Sequence, residues 1–342
     1  MTRRIAVLGV GAIGSSVGAD LADAGEEVLL VDQWPAHVEA MRANGLRVVM
    51  PDNDLHVRVR AMHLSDLASE RPAFDIVFLA SKSYDTAWMT HLIAPYLVDD
   101  GVYVGLQNGM NEDTIAPIVG RSRTVASVVE LSAEIYQPGI VQRDTTRTGT
   151  WFGVGELDGA ITDRVGEIAD LLGHSARVSV TENILGAKWT KLVTNSMTMG
   201  PFSLLGLKNW DAAALPGMTE ISLAIGRESA AVGAALGYRL EPIFGLSTED
   251  FAGSDDQVLI TAMRTLHNHV GKEATTATVQ DHLKGRRTEL EHITGIVVRK
   301  GREVGVPTPI NEAVLDLGRQ IGAGTRNMDP SNLDVLKSML VT

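Results

Sequence analysis

Three glycines near the start of the chain constrain its fold more than any other feature. Gly9, Gly11 and Gly14 follow directly after the apolar run Ile5–Leu8 and open a helical pattern. In a strand-turn-helix unit, the first glycine permits a tight turn, the second lets a pyrophosphate approach the backbone, and the third lets helix and strand pack closely. The pattern therefore predicts a dinucleotide-binding turn, with the N-terminus of the helix facing the phosphates.

The second predicted strand, residues 28–31, is followed by an acidic residue, Asp32. A carboxylate at this place accepts hydrogen bonds from the adenine ribose hydroxyls and repels a 2′-phosphate. The neighbouring Gln33 and Trp34 supply no basic side chain for such a phosphate. The sequence therefore favours NAD over NADP. NADP stays open, because Asp32 could instead serve to cap the helix that starts near Pro35.

Short β-branched runs alternate with amphipathic stretches through the first half of the chain. The predicted strands are residues 5–8, 28–31, 75–80, 102–106, 124–129, 140–143 and 150–154, and a predicted helix follows at 161–172. This alternation is typical of an α/β domain with a mostly parallel sheet flanked by helices, and we expect the last three strands to extend that sheet. The predicted dinucleotide-binding domain comprises residues 1–181.

Helical spacing dominates from residue 182 onward, where strand signals stop. The predicted helices are residues 189–205, 218–236, 255–270, 280–304 and 311–320. Gly305, with Pro307 and Pro309 after it, is typical of the end of one helix and the start of the next. The sequence therefore predicts an all-helical second domain, residues 182–342, which supplies the substrate and catalytic side chains.

Composition excludes several classes of partner. The chain of 342 residues carries 42 acidic and 30 basic residues, a formal charge of −12, which disfavours binding to nucleic acid. It has no cysteine, which excludes thiolate metal sites and cysteine nucleophiles and fits a reducing compartment. No apolar run approaches the length of a membrane helix. We expect a soluble, cytoplasmic protein, and a homodimer stays open.

Three further segments carry polar side chains at spacings that composition does not explain. They are Leu-Gln-Asn-Gly-Met (106–110), Lys-Trp-Thr-Lys-Leu-Val-Thr-Asn (188–195), and Gly-Arg-Arg-Thr-Glu-Leu (285–290), which leads to Gly-Val-Pro-Thr-Pro (305–309). With the glycine turn, the chain resembles the ketopantoate reductase family (2-dehydropantoate 2-reductases) over nearly its whole length. The resemblance implies a Rossmann domain, a helical domain, and an NAD(P)-dependent enzyme that interconverts a ketone and a secondary alcohol.

The resemblance also implies roles for individual residues. Lys191 matches the family's general acid, and Glu289 matches a glutamate that supports catalysis and substrate binding. Asn108 and Asn195 match asparagines that line the cofactor and substrate site, and Lys82 matches a lysine near the nucleotide. The chemistry agrees, because an ammonium beside a carbonyl oxygen can donate the proton and stabilise the developing charge. The predicted cofactor contacts are Gly9, Gly11, Ala12, Ile13, Gly14, Asp32, Lys82 and Asn108.

Two positions of the predicted substrate site depart from the family. Members that reduce ketopantoate usually carry an asparagine where this chain has Met199 and a serine where it has Ala277. A site that has lost two hydrogen-bonding groups discriminates differently between polar and less polar substrates, so we expect a different or less polar substrate. The alternative is that the hydroxyl of Thr276 or Thr278 replaces the serine, in which case the chain is a genuine 2-dehydropantoate 2-reductase.

Two other kinds of protein stay open. A glycine turn indicates binding rather than turnover, so a non-catalytic nucleotide sensor is one alternative. A metal site is the other, because Glu289 and His292 have a Glu-x-x-His spacing and His282 is nearby in the sequence. Di-metal bundles need two such pairs, and the chain has one, so we predict no metal.

Overall fold

The computed structural model describes residues 3–243, 246, 255–268 and 274–340. The chain divides into two compact units. The first extends to Gln107 and resumes over Asn111–Ile184, and the second comprises Asn108–Met110 and the chain from Leu185 onward. The last two residues of the predicted helix 255–270 lie outside the described residues.

The first unit contains two sheets within the described residues. Its strands are, in chain order, β1 (Ile5–Leu8), β2 (Val28–Asp32), β3 (Leu46–Val49), β4 (Asp54–Val57), β5 (Arg60–His63), β6 (Phe74–Leu79), β7 (Leu97–Gly105), β8 (Thr124–Glu130), β9 (Ala133–Gln137), β10 (Ile140–Arg143), β11 (Trp151–Glu156) and β12 (Arg177–Val180). The larger sheet has eight strands in the order β12-β11-β8-β7-β6-β1-β2-β5. Its neighbours pair in parallel except β8 and β11, which confirms the predicted mostly parallel sheet.

The centre of this sheet is buried on both faces. All four residues of β1 are buried, as are all five of β2. Successive side chains of a strand point to opposite faces, and Ile5 and Val7 accordingly join one apolar cluster while Ala6 and Leu8 join another. The central strands of a parallel sheet are buried on both faces because helices pack on each side of them, so both sets of side chains are apolar.

The helices of the first unit cover these faces. They are α1 (Ala12–Asp23), α2 (Pro35–Asn44), α3 (Asp66–Glu70), α4 (Thr86–Ile93), α5 (Glu112–Val119) and α6 (Asp163–Gly173). The prediction that residues 140–143 extend the main sheet is wrong. β10 instead lies in a second sheet of order β4-β3-β10-β9, because the chain turns tightly at Gly139 (φ +79°) and β10 pairs antiparallel with β9 and parallel with β3.

The described part of the second unit is helical, as predicted. Its helices are α7 (Ile184–Ser203), α8 (Asn209–Ala213), α9 (Met218–Ala235), α10 (Asp255–Asn268), α11 (Ala277–Leu283), α12 (Thr294–Val304), α13 (Pro309–Gly322) and α14 (Asn332–Leu340). The left-handed conformation of Gly305 (φ +74°) ends α12, and Pro309 is the first residue of α13, as the sequence indicated.

The prediction of one continuous helix over residues 280–304 is wrong. The helix α11 ends at Leu283, and Gly285 adopts a left-handed conformation (φ +63°) that an α-helix cannot contain. A single 3-10 turn, Leu290–His292, follows, and Ile293 (φ −111°, ψ −82°) separates it from α12. Glu289 therefore lies in an irregular segment between two helices.

Candidate active site

The glycine turn has the geometry that a phosphate-binding turn requires. Gly9 has a φ of +84°, and a Cβ there would lie 2.6 Å from the backbone nitrogen of Ser81. A Cβ on Gly14 would lie 2.4 Å from the carbonyl oxygen of Gly9. Apart from Gly11 and its two chain neighbours, no atom of the described residues lies within 4 Å of the position that a Gly11 Cβ would occupy. The first and third glycines are thus required by packing, and the second faces open space at the N-terminus of α1.

Asp32 is buried at the end of β2 and accepts hydrogen bonds through both carboxylate oxygens. Oδ2 accepts from the backbone N–H of Val10, inside the glycine turn, and Oδ1 accepts from the backbone N–H of Trp34 at 2.7 Å. The second bond orders Trp34, the residue just before α2, and is not a bond to an N–H of the first turn of that helix. The first was not predicted, and it means that Asp32 helps to shape the turn itself.

Lys82 follows β6 and is half-buried between two anchored residues. The carbonyl oxygen of Ser81 accepts a hydrogen bond from Gln107 Nε2 at 2.7 Å, and the hydroxyl of Ser83 accepts one from Asn111 Nδ2 at 3.2 Å. Both amide side chains are buried just beyond β7. Sequence analysis missed Gln107 and Asn111 as positioning residues, although the density of amides around the Asn-Gly pair was a usable signal.

Lys191 and Asn195 lie on α7 one turn apart, so they share a face of the helix. Lys191 is half-buried and Asn195 is buried. Nδ2 of Asn195 donates a hydrogen bond to Oδ1 of Asn108 at 3.2 Å. The structure thus places Asn108 against the face of α7 that carries Lys191 and Asn195.

The rotation of α7 about its axis is fixed by buried contacts with α9. Trp189 is fully buried and its Nε1 donates to the carbonyl oxygen of Ser229 at 2.9 Å. The hydroxyls of Ser196 and Ser229 lie 2.9 Å apart. Gly233 leaves room for the indole, since a Cβ there would lie 2.1 Å from Trp189 Nε1. This packing keeps Lys191 on the opposite side of the helix, toward Asn108.

Glu289 is buried directly before the 3-10 turn. Its carbonyl oxygen accepts hydrogen bonds from the backbone N–H groups of His292, at 2.8 Å, and Ile293, at 3.1 Å. Burial lowers the pKa of His292, and the negative charge of Glu289 opposes that shift. The backbone of Glu289 is therefore well anchored, and its catalytic role stays a prediction.

Met199 and Ala277, the two positions that depart from the family pattern, have different surroundings. Met199 is half-buried on α7 and packs against the apolar cluster around Trp189. Ala277 is the first residue of α11, where the hydroxyl of Thr276 caps the helix by accepting from the backbone N–H of Val279 at 3.2 Å. The hydroxyl of Thr278 is buried and has no hydrogen-bond partner among the described residues. Of the two threonines, Thr276 thus already has a capping role.

The part of the chain that the structure describes holds no group of three or more His, Asp or Glu side chains able to bind a metal ion. It also holds no helix that is both long and apolar enough to span a membrane.

Comparisons with known proteins cover nearly the whole chain. Residues 5–156 match the family Ketopantoate reductase PanE/ApbA, and residues 183–322 match Ketopantoate reductase PanE/ApbA C terminal. A 2-dehydropantoate 2-reductase from Mesorhizobium japonicum is 30% identical over 341 residues, which cover 93% of this chain and 97% of that one.

Solved structures share the fold. A PanE/ApbA family ketopantoate reductase from Ralstonia eutropha JMP134 superposes with a TM-score of 0.79 at 28% identity, covering 94% of this chain and 98% of the other. D-mandelate dehydrogenase, solved with NADH and anilino(oxo)acetate, superposes with a TM-score of 0.83 over the same shares of the two chains; at 23% identity this likeness concerns the fold alone.

The family match and the relatives, together with the fold, define the class, an oxidoreductase with a Rossmann-type NAD(P) fold that acts on CH–OH groups. Within that class, the chain belongs to the ketopantoate reductase family, which confirms the resemblance found in its sequence.

Proposed function

We propose that this enzyme interconverts a ketone and a secondary alcohol within a 2-keto or 2-hydroxy acid and prefers NAD(H). The observation that carries the proposal is the hydrogen bond between Asn195 and Asn108, on the face of α7 that bears Lys191. It gathers a proton donor and two oriented amides, which is what hydride transfer to a polarised carbonyl needs.

The residues around the glycine turn fit a dinucleotide. Gly11 leaves the backbone open to a pyrophosphate at the N-terminus of α1. A carboxylate can accept about four hydrogen bonds, so Asp32 can bind ribose hydroxyls while it holds Val10 and Trp34. Its charge disfavours a 2′-phosphate, which supports the preference for NAD(H). When bound, the nicotinamide ring supplies or accepts the hydride.

We assign to Lys191 the transfer of the proton to and from the substrate oxygen. Its ammonium donates to the substrate oxygen during reduction and accepts the proton back during oxidation. The Asn195 side chain is held by Asn108, so its amide is ordered before substrate arrives. We assign Glu289 a role in holding substrate and lysine in geometry, from its burial and its place in the family.

The substrate class follows from what the site lacks. Met199 offers a thioether, and Ala277 a methyl group, where a site for ketopantoate would be expected to hydrogen-bond. We therefore propose a 2-keto acid with a less polar side chain. The second candidate is a genuine 2-dehydropantoate 2-reductase. It is favoured by the activity named for the relative from Mesorhizobium japonicum and by the buried Thr278 hydroxyl.

Steady-state kinetics with both nucleotides and a panel of 2-keto acids that includes ketopantoate tests the proposal. We expect NADH to be oxidised fastest with an acid other than ketopantoate. A ketopantoate kcat/KM of about 10⁴ M⁻¹s⁻¹ or more would establish the second candidate instead. Binding of NADH without turnover on any member of the panel or the matching alcohols would identify a nucleotide sensor. Light scattering on the same sample tests whether the enzyme is a homodimer.

A further inference from the structure

The residue between the first two glycines of the turn, Val10, is held at both of its backbone polar groups by side chains from two different elements, and a third element supports one of those side chains. The N–H of Val10 donates to Asp32 of β2. Its carbonyl oxygen accepts from the hydroxyl of Ser15, on α1, at 3.1 Å. Behind Ser15 lies His37 of α2, whose Nε2 is 3.1 Å from the Ser15 hydroxyl oxygen.

The hydrogen bonds of His37 fix its tautomer. Nδ1 accepts from the backbone N–H of Gly139, in the turn between β9 and β10, at 2.9 Å. The ring proton is therefore on Nε2, which donates to Ser15, and Ser15 in turn donates to Val10. Burial lowers the pKa of His37 to about 4, against the opposing effect of the Val10 carbonyl, so the ring is neutral at pH 7.

We propose that His37 is a positioning residue for the nucleotide-binding turn, acting through the Ser15 hydroxyl on the carbonyl of Val10. The proposal rests on the proposed function, since it takes the turn to bind a nucleotide. Holding Val10 in place fixes the peptide that leads into Gly11, the glycine with an open face. A preorganised turn binds its ligand without a further ordering cost, so loosening it weakens nucleotide affinity.

A purely structural role makes a different prediction. In that case the important bond of His37 is the one from Gly139, which joins α2 to the second sheet. Two substitutions separate the roles, because an Asn carbonyl sits where Nδ1 does and a Gln amide reaches the position of Nε2. His37→Asn keeps an acceptor for Gly139 and loses the donor to Ser15. His37→Gln keeps the donor and loses the acceptor. Both lose the stacking contact with Trp34, so they are matched in that respect.

The experiment measures the NADH dissociation constant by fluorescence titration and the melting temperature of each variant. We expect His37→Asn and Ser15→Ala to raise Kd by about three- to tenfold, the effect of one hydrogen bond. His37→Gln should recover most of the loss. The double variant Ser15→Ala/His37→Asn should be no weaker than Ser15→Ala alone, because both changes break one chain of contacts. The losses should appear in KM for NADH rather than in kcat.

The possible outcomes distinguish failure of this inference about His37 from failure of the proposed function. If the unmodified enzyme binds NADH and His37→Asn and His37→Gln weaken it equally, the inference is overturned and the function stands. The same holds if Ser15→Ala, which leaves the bond between His37 and Gly139 intact, binds NADH as well as the unmodified enzyme does. If the unmodified enzyme binds neither NADH nor NADPH, both are overturned.

Discussion

Asn195 and Asn108, 87 residues apart in the sequence, are joined by a hydrogen bond of 3.2 Å. Because Oδ1 of Asn108 is the acceptor, the orientation of that side-chain amide is determined, and its NH₂ group points away from Asn195. The bond therefore orders two amides at once on the face of α7 that carries Lys191.

Removing this bond should reduce catalysis more than stability. We expect Asn195→Ala to lower kcat/KM for the best substrate by about tenfold or more, because a substrate group and Asn108 both lose their partner. Ser203→Ala, at the C-terminal end of α7, removes a buried hydroxyl that donates to the carbonyl oxygen of Gly200 at 2.6 Å; it is the control and should lower the melting temperature with little change in kcat/KM. The same kcat/KM in Asn195→Ala and the unmodified enzyme would exclude Asn195 from the site.

A substitution at Gln33, next to Asp32, tests the nucleotide preference more cleanly than a substitution of Asp32 itself. Asp32→Ala removes the acceptor for Val10 and Trp34, so it should weaken both nucleotides while it narrows the preference for NADH. Gln33→Arg keeps those bonds and adds an exposed cation, so it should improve the kcat/KM ratio of NADPH to NADH severalfold, whereas Gln33→Ala should not. Equal or better use of NADPH by the unmodified enzyme contradicts the assignment of Asp32.

A buried ion pair joins α1 to β10 within the first unit. Nη1 of Arg143 donates to Oδ2 of Asp20 at 2.7 Å, and both side chains are almost fully inaccessible. Asp20→Ala leaves an uncompensated buried guanidinium, so we expect the free energy of unfolding to fall by about 3 to 5 kcal/mol in urea titrations. The control Asp54→Ala, which breaks an exposed pair with Arg47, should leave it essentially unchanged. Similar values for the two variants would refute the role given to Asp20.

Stability should fall in mild acid because of His37. Its pKa is lowered to about 4 by burial, whereas it is about 6.5 in the unfolded chain. Between these values the unfolded chain binds more protons, so the contribution of His37 is complete above about pH 6.5 and falls by about 3 kcal/mol as the pH decreases to about 4. The slope of unfolding free energy against pH should be shallower in His37→Gln over this window. Identical slopes would show that His37 is not buried in its neutral form.

Local sequence patterns were sufficient to predict the centre of the fold and to select many of the candidate site residues. The glycine turn is dictated by steric contacts within a few residues and with the loop at Ser81, and β1 and β2 are continuous apolar runs. The shared face of Lys191 and Asn195 follows from helical periodicity alone. These features are recognisable in the sequence without knowledge of distant partners, even though Gly9 also packs against Ser81, which is far from it in the chain.

The remaining features depend on contacts that are distant in the sequence. The strands β3 and β4 have four residues each, and the parallel pairing of β10 with β3 joins segments about 90 residues apart, by the numbering of the chain. No short window contains that information. The His37 and Gly139 contact is likewise long-range. Gly285 was a usable signal for the break in the helix, because glycine readily adopts the left-handed conformation that it has here. The apolar spacing on either side of it nevertheless favoured one continuous helix.

The most direct test of the central claim is the turnover of Lys191→Ala with the best substrate of the panel, measured beside its NADH dissociation constant. Loss of a general acid should lower kcat by about 10²- to 10⁴-fold, while Kd for NADH stays within about twofold because the glycine turn is untouched. Lys191→Arg, which keeps the charge but holds its proton too tightly to transfer it readily, should also be strongly impaired. Near-normal turnover by Lys191→Ala would contradict the mechanism.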